Sequence, residues 1–252
     1  MVHQFCRTLL ATALIGGLSA CGESGGDNAA PSTSSASAAA GSVSAAELAA
    51  LRDRVARLRT EVERLQDFND IKRLQRTYGF YLDEAMWDDL ADLFADDGSI
   101  EIALDGVYSG KSRVRDYLYA LGGGHSGNAE GSLNEHFQLM PVVNVSEDGT
   151  TAKGRWRAII MGGDYGGTAI WGEGPYENEY VKEDGVWKLK TVHWYDSMMV
   201  PYEGGWAKNK DVTGGKFVSG VLPPDAPSTV QYDTWPGVYL PPFHFKNPVT
   251  GE

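Results

Sequence analysis

Cysteine and positive charge are both scarce in this chain of 252 residues, which has two cysteines and 22 Lys+Arg against 34 Asp+Glu, a net charge of −12. Affinity for a nucleic-acid backbone rests mostly on cationic side chains that displace counterions, so this balance excludes a DNA or RNA binder. Long apolar runs are missing too: Leu9 to Leu18 is too short to span a bilayer. Proline is sparse until the end, where the final 52 residues hold eight of the eleven. That density, with Pro223-Pro224 and Pro241-Pro242, prevents a central strand, so residues 201–252 are expected to wrap the surface in extended form. What remains, with 42% hydrophobic and 11% aromatic residues, can bury a core.

The first 44 residues do not resemble the rest. Arg7 precedes the short apolar run, which ends in Leu18-Ser19-Ala20-Cys21. A weakly positive start, a short apolar stretch and small residues read as a secretory signal over residues 1–20. The small residues before Cys21 resemble the lipobox of bacterial lipoproteins, which implies a lipidated Cys21 at the mature N-terminus and an exported protein anchored to the membrane, facing the periplasm. Cys6 would then be removed with the signal, which leaves no disulfide within the chain. Residues 21–44, rich in Gly, Ser and Ala, cannot bury enough surface to order themselves and are expected to form a tether.

From Leu48 the apolar residues Leu48, Leu51, Val55, Leu58, Val62 and Leu65 fall three and four apart, one stripe of a helix over residues 45–66. The stripe suits either a short coiled coil or packing against the chain's own domain, and a homo-oligomer, dimer or trimer, is expected. The helix continues through Ile71, Leu74, Tyr78 and Leu82, and Trp87, Leu90, Leu93 and Phe94 predict a second. Ser99 to Leu104 alternates as a strand, and Ser112 to Leu121 predicts a third helix. Gly106 to Ser112 superficially resembles a phosphate loop, but the motif lacks its first glycine and its neighbours are acidic. Four strands follow, about Asn134–Val145, Thr151–Met161, Ile170–Lys182 and Val186–Asp196, with hairpin turns at Glu147-Asp148-Gly149 and Glu183-Asp184-Gly185. Three helices before an antiparallel meander predict an α+β fold, its sheet curled round a cavity.

Residues 67–200 resemble the SnoaL-like branch of the nuclear-transport-factor-2-like superfamily, α+β cone-shaped barrels with a deep apolar pocket. The residues that carry the likeness are Tyr81-Leu82-Asp83-Glu84-Ala85-Met86-Trp87, Gly106-Val107-Tyr108-Ser109-Gly110-Lys111, Asn134-Glu135-His136-Phe137 and Tyr180-Val181-Lys182-Glu183-Asp184-Gly185-Val186-Trp187. Within that branch the pattern is similar to the scytalone dehydratases, whose catalytic aspartate and first catalytic histidine match Asp83 and His136. Their second histidine has no counterpart, its place falling near Gly162, and Leu82, Ile102 and Tyr176 replace two tyrosines and an asparagine of that pattern. The tail with Pro241-Pro242-Phe243-His244 also resembles sphingomonad proteins that include diarylpropane (lignin-dimer) lyases.

The residues themselves allow acid–base chemistry. His136 can take a proton while Asp83 orients the imidazole and stabilises its cation. His193 shares parity with Trp187, Leu189, Thr191 and Tyr195 on the last strand; with Lys188 and Lys190 facing water, His193 is expected to point into the cavity as a second acid or base. Tyr78, Tyr81, Trp87, Tyr176, Asn178 and Tyr195 are the candidate substrate-binding residues. Arg155 and Arg157 are expected to face solvent. No HxH or HxxxH spacing and no nucleotide fingerprint occurs, so neither metal nor cofactor is expected. The expectation is a cofactor-independent lyase, dehydrating or deformylating a small hydroxylated aromatic compound. An isomerase or cyclase using the same pair, and a non-catalytic ligand-binding lipoprotein, are the alternatives.

Overall fold

A computed structural model of the protein describes residues 43–252, so the expected signal segment, Cys21 and nearly all of the tether lie outside the described residues. One helix, α1 (Ala45–Asp83), runs the whole way from the apolar stripe into the domain. Every residue from Ala45 to Gln66 is exposed. Beyond that point Asp67, Ile71, Gln75, Tyr78 and Leu82 recur at helical spacing and are buried, so only the second half of α1 packs on the sheet.

Helix α2 (Trp87–Asp92) is shorter than its apolar pattern predicts. Phe94 leaves the helix to open strand β1 (Phe94–Ile102), where it pairs with Leu189 and is fully buried. Strand β2 (Val107–Ser109) and helix α3 (Lys111–Leu121) follow, and Ala103 and Leu104, expected in the strand, lie in the turn between β1 and β2. The long meander is β3 (Ser132–Val145), β4 (Thr151–Asp164), β5 (Ala169–Glu183) and β6 (Val186–Trp194), with short β7 (Met198–Pro201) and α4 (Gly205–Lys208) after it. The seven strands form one curved sheet in the order β2-β1-β6-β5-β4-β3, with β7 beside β5; β1 and β6 are parallel and the other pairs antiparallel. This is the α+β fold expected from the order of elements, with the cone-shaped sheet that the family resemblance implies.

One extra residue redirects the last long strand. Tyr180 pairs with Leu189 but Glu179 pairs with Thr191, so Lys190 is a bulge in β6. A bulge of one residue exchanges the two faces of everything beyond it. Trp187 and Leu189 point inward as expected, but past the bulge Val192 and Trp194 take the inner face. His193 and Tyr195 are on the outer face, contrary to the parity expected from sequence.

The tail also departs from a plain surface wrap. Asp105, buried at the β1–β2 turn, accepts the backbone N–H groups of Phe217 (2.9 Å), Val218 (2.9 Å) and Ser219 (3.0 Å) and the Tyr117 hydroxyl (2.9 Å). A carboxylate so saturated holds the turn at residues 217–219 against the domain, and Val218 enters the core. Farther on, the tail covers Arg155, which is buried rather than solvent-facing: its guanidinium pairs with Glu177, donates to the Pro241 carbonyl (3.2 Å) and lies 4.4 Å from the centre of the Phe243 ring. Arg157 remains half exposed, paired with Glu173.

Candidate functional site

Between the inner face of the sheet and the helices lies a cavity of about 540 Å³. That is the size of an ordinary small-molecule site. Ile100, Ile102, Leu118, Ile160, Trp194 and Met199 supply apolar wall, and the tail adds Phe217. Among the described residues no Lys or Arg lines the cavity, so they offer no fixed positive charge to an anionic ligand.

His136 stands on the wall, on β3, and Asp83 ends α1 beside it. The His136 backbone N–H donates to Asp83 Oδ1 (2.6 Å), and the ring Nδ1 lies 3.2 Å from the same oxygen. Each side chain keeps 13% of its surface exposed. A carboxylate only accepts, so this contact selects the tautomer with hydrogen on Nδ1 and leaves Nε2 with its lone pair free. Nε2 has no hydrogen-bond partner among the described residues.

The position of Asp83 follows from how α1 ends. The last helical carbonyls lack intrahelical partners. Here Asn134 donates to the carbonyl of Leu82 (3.0 Å) and Asn128 to that of Asp83 (2.6 Å). Farther back, Gly79 lets the helix approach β3: a Cβ there would sit 2.7 Å from Gln138 Cγ and 3.3 Å from the His136 carbonyl. Fully buried Gln75 then ties helix to sheet, donating to Gln138 Oε1 (2.9 Å) and accepting from Asn178 (2.9 Å) and the Tyr180 hydroxyl (2.8 Å).

Two phenols complete this end of the cavity. Tyr78 and Tyr176 meet edge to face, with centroids 6.1 Å apart, and both line the cavity. Burial pushes the Tyr176 hydroxyl up to about 12 and Tyr78 well above its ordinary value, so both remain hydrogen-bond donors at neutral pH. The charge of Asp83 adds to the rise of Tyr176. Trp87 lines the cavity as expected, and its indole N–H donates to the His125 carbonyl (2.6 Å), seating the loop between α3 and β3 over the cavity.

The other expected site residues are elsewhere. Tyr81 packs against the core without lining the cavity. Asn178 is buried and spent on structure, donating to Gln75 and accepting the His193 backbone N–H (3.0 Å) beside the bulge. His193 lies beyond the opposite face, stacked on Tyr195 at 3.9 Å between centroids, with Nε2 3.6 Å from Glu101 Oε1. Burial holds its imidazole down at about 4, so it is neutral at pH 7 and does not serve the cavity as an acid or base. Sequence reasoning assigned no role to Asn134 or His125, both of which line the cavity. Asn134 was within reach of that reasoning, being two residues before His136 and therefore on its face of β3.

The family described as the SnoaL-like domain matches residues 63–193, more than half of the chain. Among solved structures, the chain is similar to the hexachlorocyclohexane dehydrochlorinase LinA-type3 from Novosphingobium barchaimii LL02. Identity there is 20% and the TM-score 0.49, over 57% of this chain and 95% of that one. A protein from Novosphingobium aromaticivorans DSM 12444, provisionally assigned as a scytalone dehydratase, gives 20% identity and 0.47 over 56% and 91% of the two chains. A protein of unknown function from Mycobacterium tuberculosis gives 21% and 0.45 over 54% and 75%. These are likenesses of fold. With the cone-shaped sheet, its covering helices and the extent of the domain match together, the chain belongs to the SnoaL-like family.

Proposed function

We propose that the protein is a cofactor-independent lyase acting on a neutral hydroxylated aromatic compound, with His136 as its base. The observation that carries this reading is the His136 ring, held through Nδ1 by Asp83 at 3.2 Å, on the wall of a largely apolar cavity. An imidazole so oriented presents Nε2 to a bound molecule, and the carboxylate stabilises the imidazolium formed when Nε2 takes a proton. Tyr78 and Tyr176 donate to the oxygen that gains charge or leaves. The absence of Lys and Arg from the wall favours an uncharged substrate, and the ring-rich lining favours an aromatic one.

Two reactions balance with these groups. In dehydration Nε2 removes a proton from an activated carbon, the C–H electron pair forms a C=C bond, and the C–O bond breaks with the oxygen leaving as water after protonation. In deformylation Nε2 removes a hydroxyl proton, the freed pair forms the carbonyl of formaldehyde, and the C–C bond breaks to a carbanion that is reprotonated. Both return the imidazole to its starting state without a redox partner. Purified protein dialysed against chelator is expected to convert β-hydroxylated arylpropane compounds, with His136→Ala lowering kcat at least about 100-fold, the usual scale of general-base catalysis. Equal turnover by the variant would end the proposal, and recovery of every compound unchanged from wild type would leave a ligand-binding protein.

A further inference from the structure

The outer face of the sheet carries a second cavity, of about 260 Å³, closed by the tail and sharing no lining residue with the first. Its walls are aromatic. Tyr195 lies 6.0 Å from Tyr232 and 5.9 Å from Tyr239, these two are stacked at 4.7 Å, and Trp235 stands beside them. The Trp235 indole N–H is shared by the Trp206 and Asn209 carbonyls (3.2 and 3.1 Å), which fixes the ring.

Within this aromatic lining is a carboxyl group that lacks a counter-charge. Asp196 is wholly buried; its Oδ2 accepts the Thr213 hydroxyl (3.0 Å), whereas its Oδ1 has no hydrogen-bond partner among the described residues. The neighbouring charges make matters worse for an anion. Asp211 accepts that same Thr213 hydroxyl (3.0 Å), and its own oxygens are occupied by the backbone N–H groups of Met199, Thr213 and Gly214. Glu173 and Asp233 also line the cavity, Glu173 paired with Arg157, and among the described residues no Lys or Arg lines the space. The Asp196 backbone N–H is taken by the Tyr232 oxygen (2.9 Å).

We infer that this second cavity binds a small organic ammonium ion, a quaternary or methylated amine, with Asp196 as its counter-ion and the tyrosine and tryptophan rings as its cation–π walls. Aromatic rings attract a weakly hydrated organic cation through their quadrupoles, and the attraction grows as the cation is desolvated. A hard metal ion would ask instead for several oxygen ligands. Among the described residues no group of three His, Cys, Asp or Glu side chains is placed to hold one. Burial and then the adjacent Asp211, by its charge and by a hydrogen bond to the protonated group, push the Asp196 carboxyl up to about 8, so near neutrality the empty site holds a proton that a bound cation would have to displace. Cation and proton therefore compete, and affinity is expected to fall toward tenfold per pH unit below about 8.

Titration of the full chain with tetramethylammonium chloride, followed by calorimetry at pH 8.5 and 6.5 against matched sodium chloride, tests this. Saturable binding at pH 8.5 that weakens more than about tenfold at pH 6.5 is expected from proton competition. Tyr239→Leu, at a half-buried ring outside the core, should weaken binding at least about tenfold by removing one wall, and Asp196→Asn should remove the pH dependence along with most of the affinity. His136→Ala should bind like wild type, which separates this site from the reading of the first cavity. No saturable binding at either pH, an equal response to sodium chloride, or undiminished binding by both Tyr239→Leu and Asp196→Asn would each overturn the inference.

Discussion

His193 and Asp196 are three residues apart, and burial drives their ionisation in opposite directions. Burial holds the His193 imidazole down from 6.5 to about 4, so its contribution to stability is whole above pH 6.5 and is lost as pH falls through about 4. Asp196 is pushed up from 3.8 to about 8, so its contribution is whole below pH 3.8 and is lost as pH rises through about 8. Between pH 4 and 6.5 the two slopes oppose each other. From 6.5 to 8 only Asp196 is still changing, and the folded state is expected to lose stability at up to about 1.4 kcal/mol per pH unit. Urea midpoints of wild type and Asp196→Asn at pH 6.5 and 8 check this: the wild type should fall and the variant stay level, and a level wild type would contradict it. Asp83 and His136 were legible as a pair because the resemblance to the scytalone dehydratases implies it, and their residue types suit acid–base chemistry. The burial of Asp196 was not legible, because it depends on Thr213, Tyr232 and Asp211 arriving from the tail.

At the scale of elements, the register of α1 against β3 positions the candidate base. Gly79 is where the two backbones approach, and the Gln138 side chain it would strike is tied on both sides, to Gln75 (2.9 Å) and to the His136 carbonyl (3.2 Å). Gly79→Ala is therefore expected to destabilise the fold by about 1–3 kcal/mol, the usual cost of an extra methyl in a filled contact. It should also lower turnover more than it raises KM, because displacing His136 from Asp83 disturbs the base rather than the cavity walls. Urea unfolding and steady-state kinetics measure the two effects, and unchanged stability would show that β3 can yield. The helix and meander were readable from periodicity, which burial of one face imposes on any sequence. The faces of β6 were not, since the Lys190 bulge leaves no mark in the alternation: both registers put apolar residues inward, through Trp187 and Leu189 before it and Val192 and Trp194 after it.

For the whole molecule, the first half of α1 poses the remaining question of assembly. Leu48, Leu51, Val55, Leu58, Val62 and Leu65 are 44–65% exposed, a seam left uncovered by the described residues of this chain. We propose that this seam joins copies of the chain as a homo-oligomer and that Cys21 carries a lipid anchor. Sedimentation of the full chain should show Leu58→Asp with Val62→Asp reduced to monomer, and palmitate labelling should be lost in Cys21→Ser; an unchanged assembly or retained label would contradict the respective half. Composition identifies the tail only as proline-rich cover, because it restricts backbone conformation without specifying what the tail touches. Its contact partners turned out to include buried Asp105, Glu101 and Arg155, each more than 80 residues distant in the chain. By itself the sequence determined the helices, the meander and the α+β class, because those depend on local periodicity, while the cone shape and the Asp83–His136 pair were implied by the family resemblance its motifs carry. Which face His193 occupies, which polar groups the tail buries, and that a cavity lies on each face of the sheet were decided only by tertiary structure. Each depends on a bulge or a long-range hydrogen bond whose cost and compensation lie in distant parts of the chain.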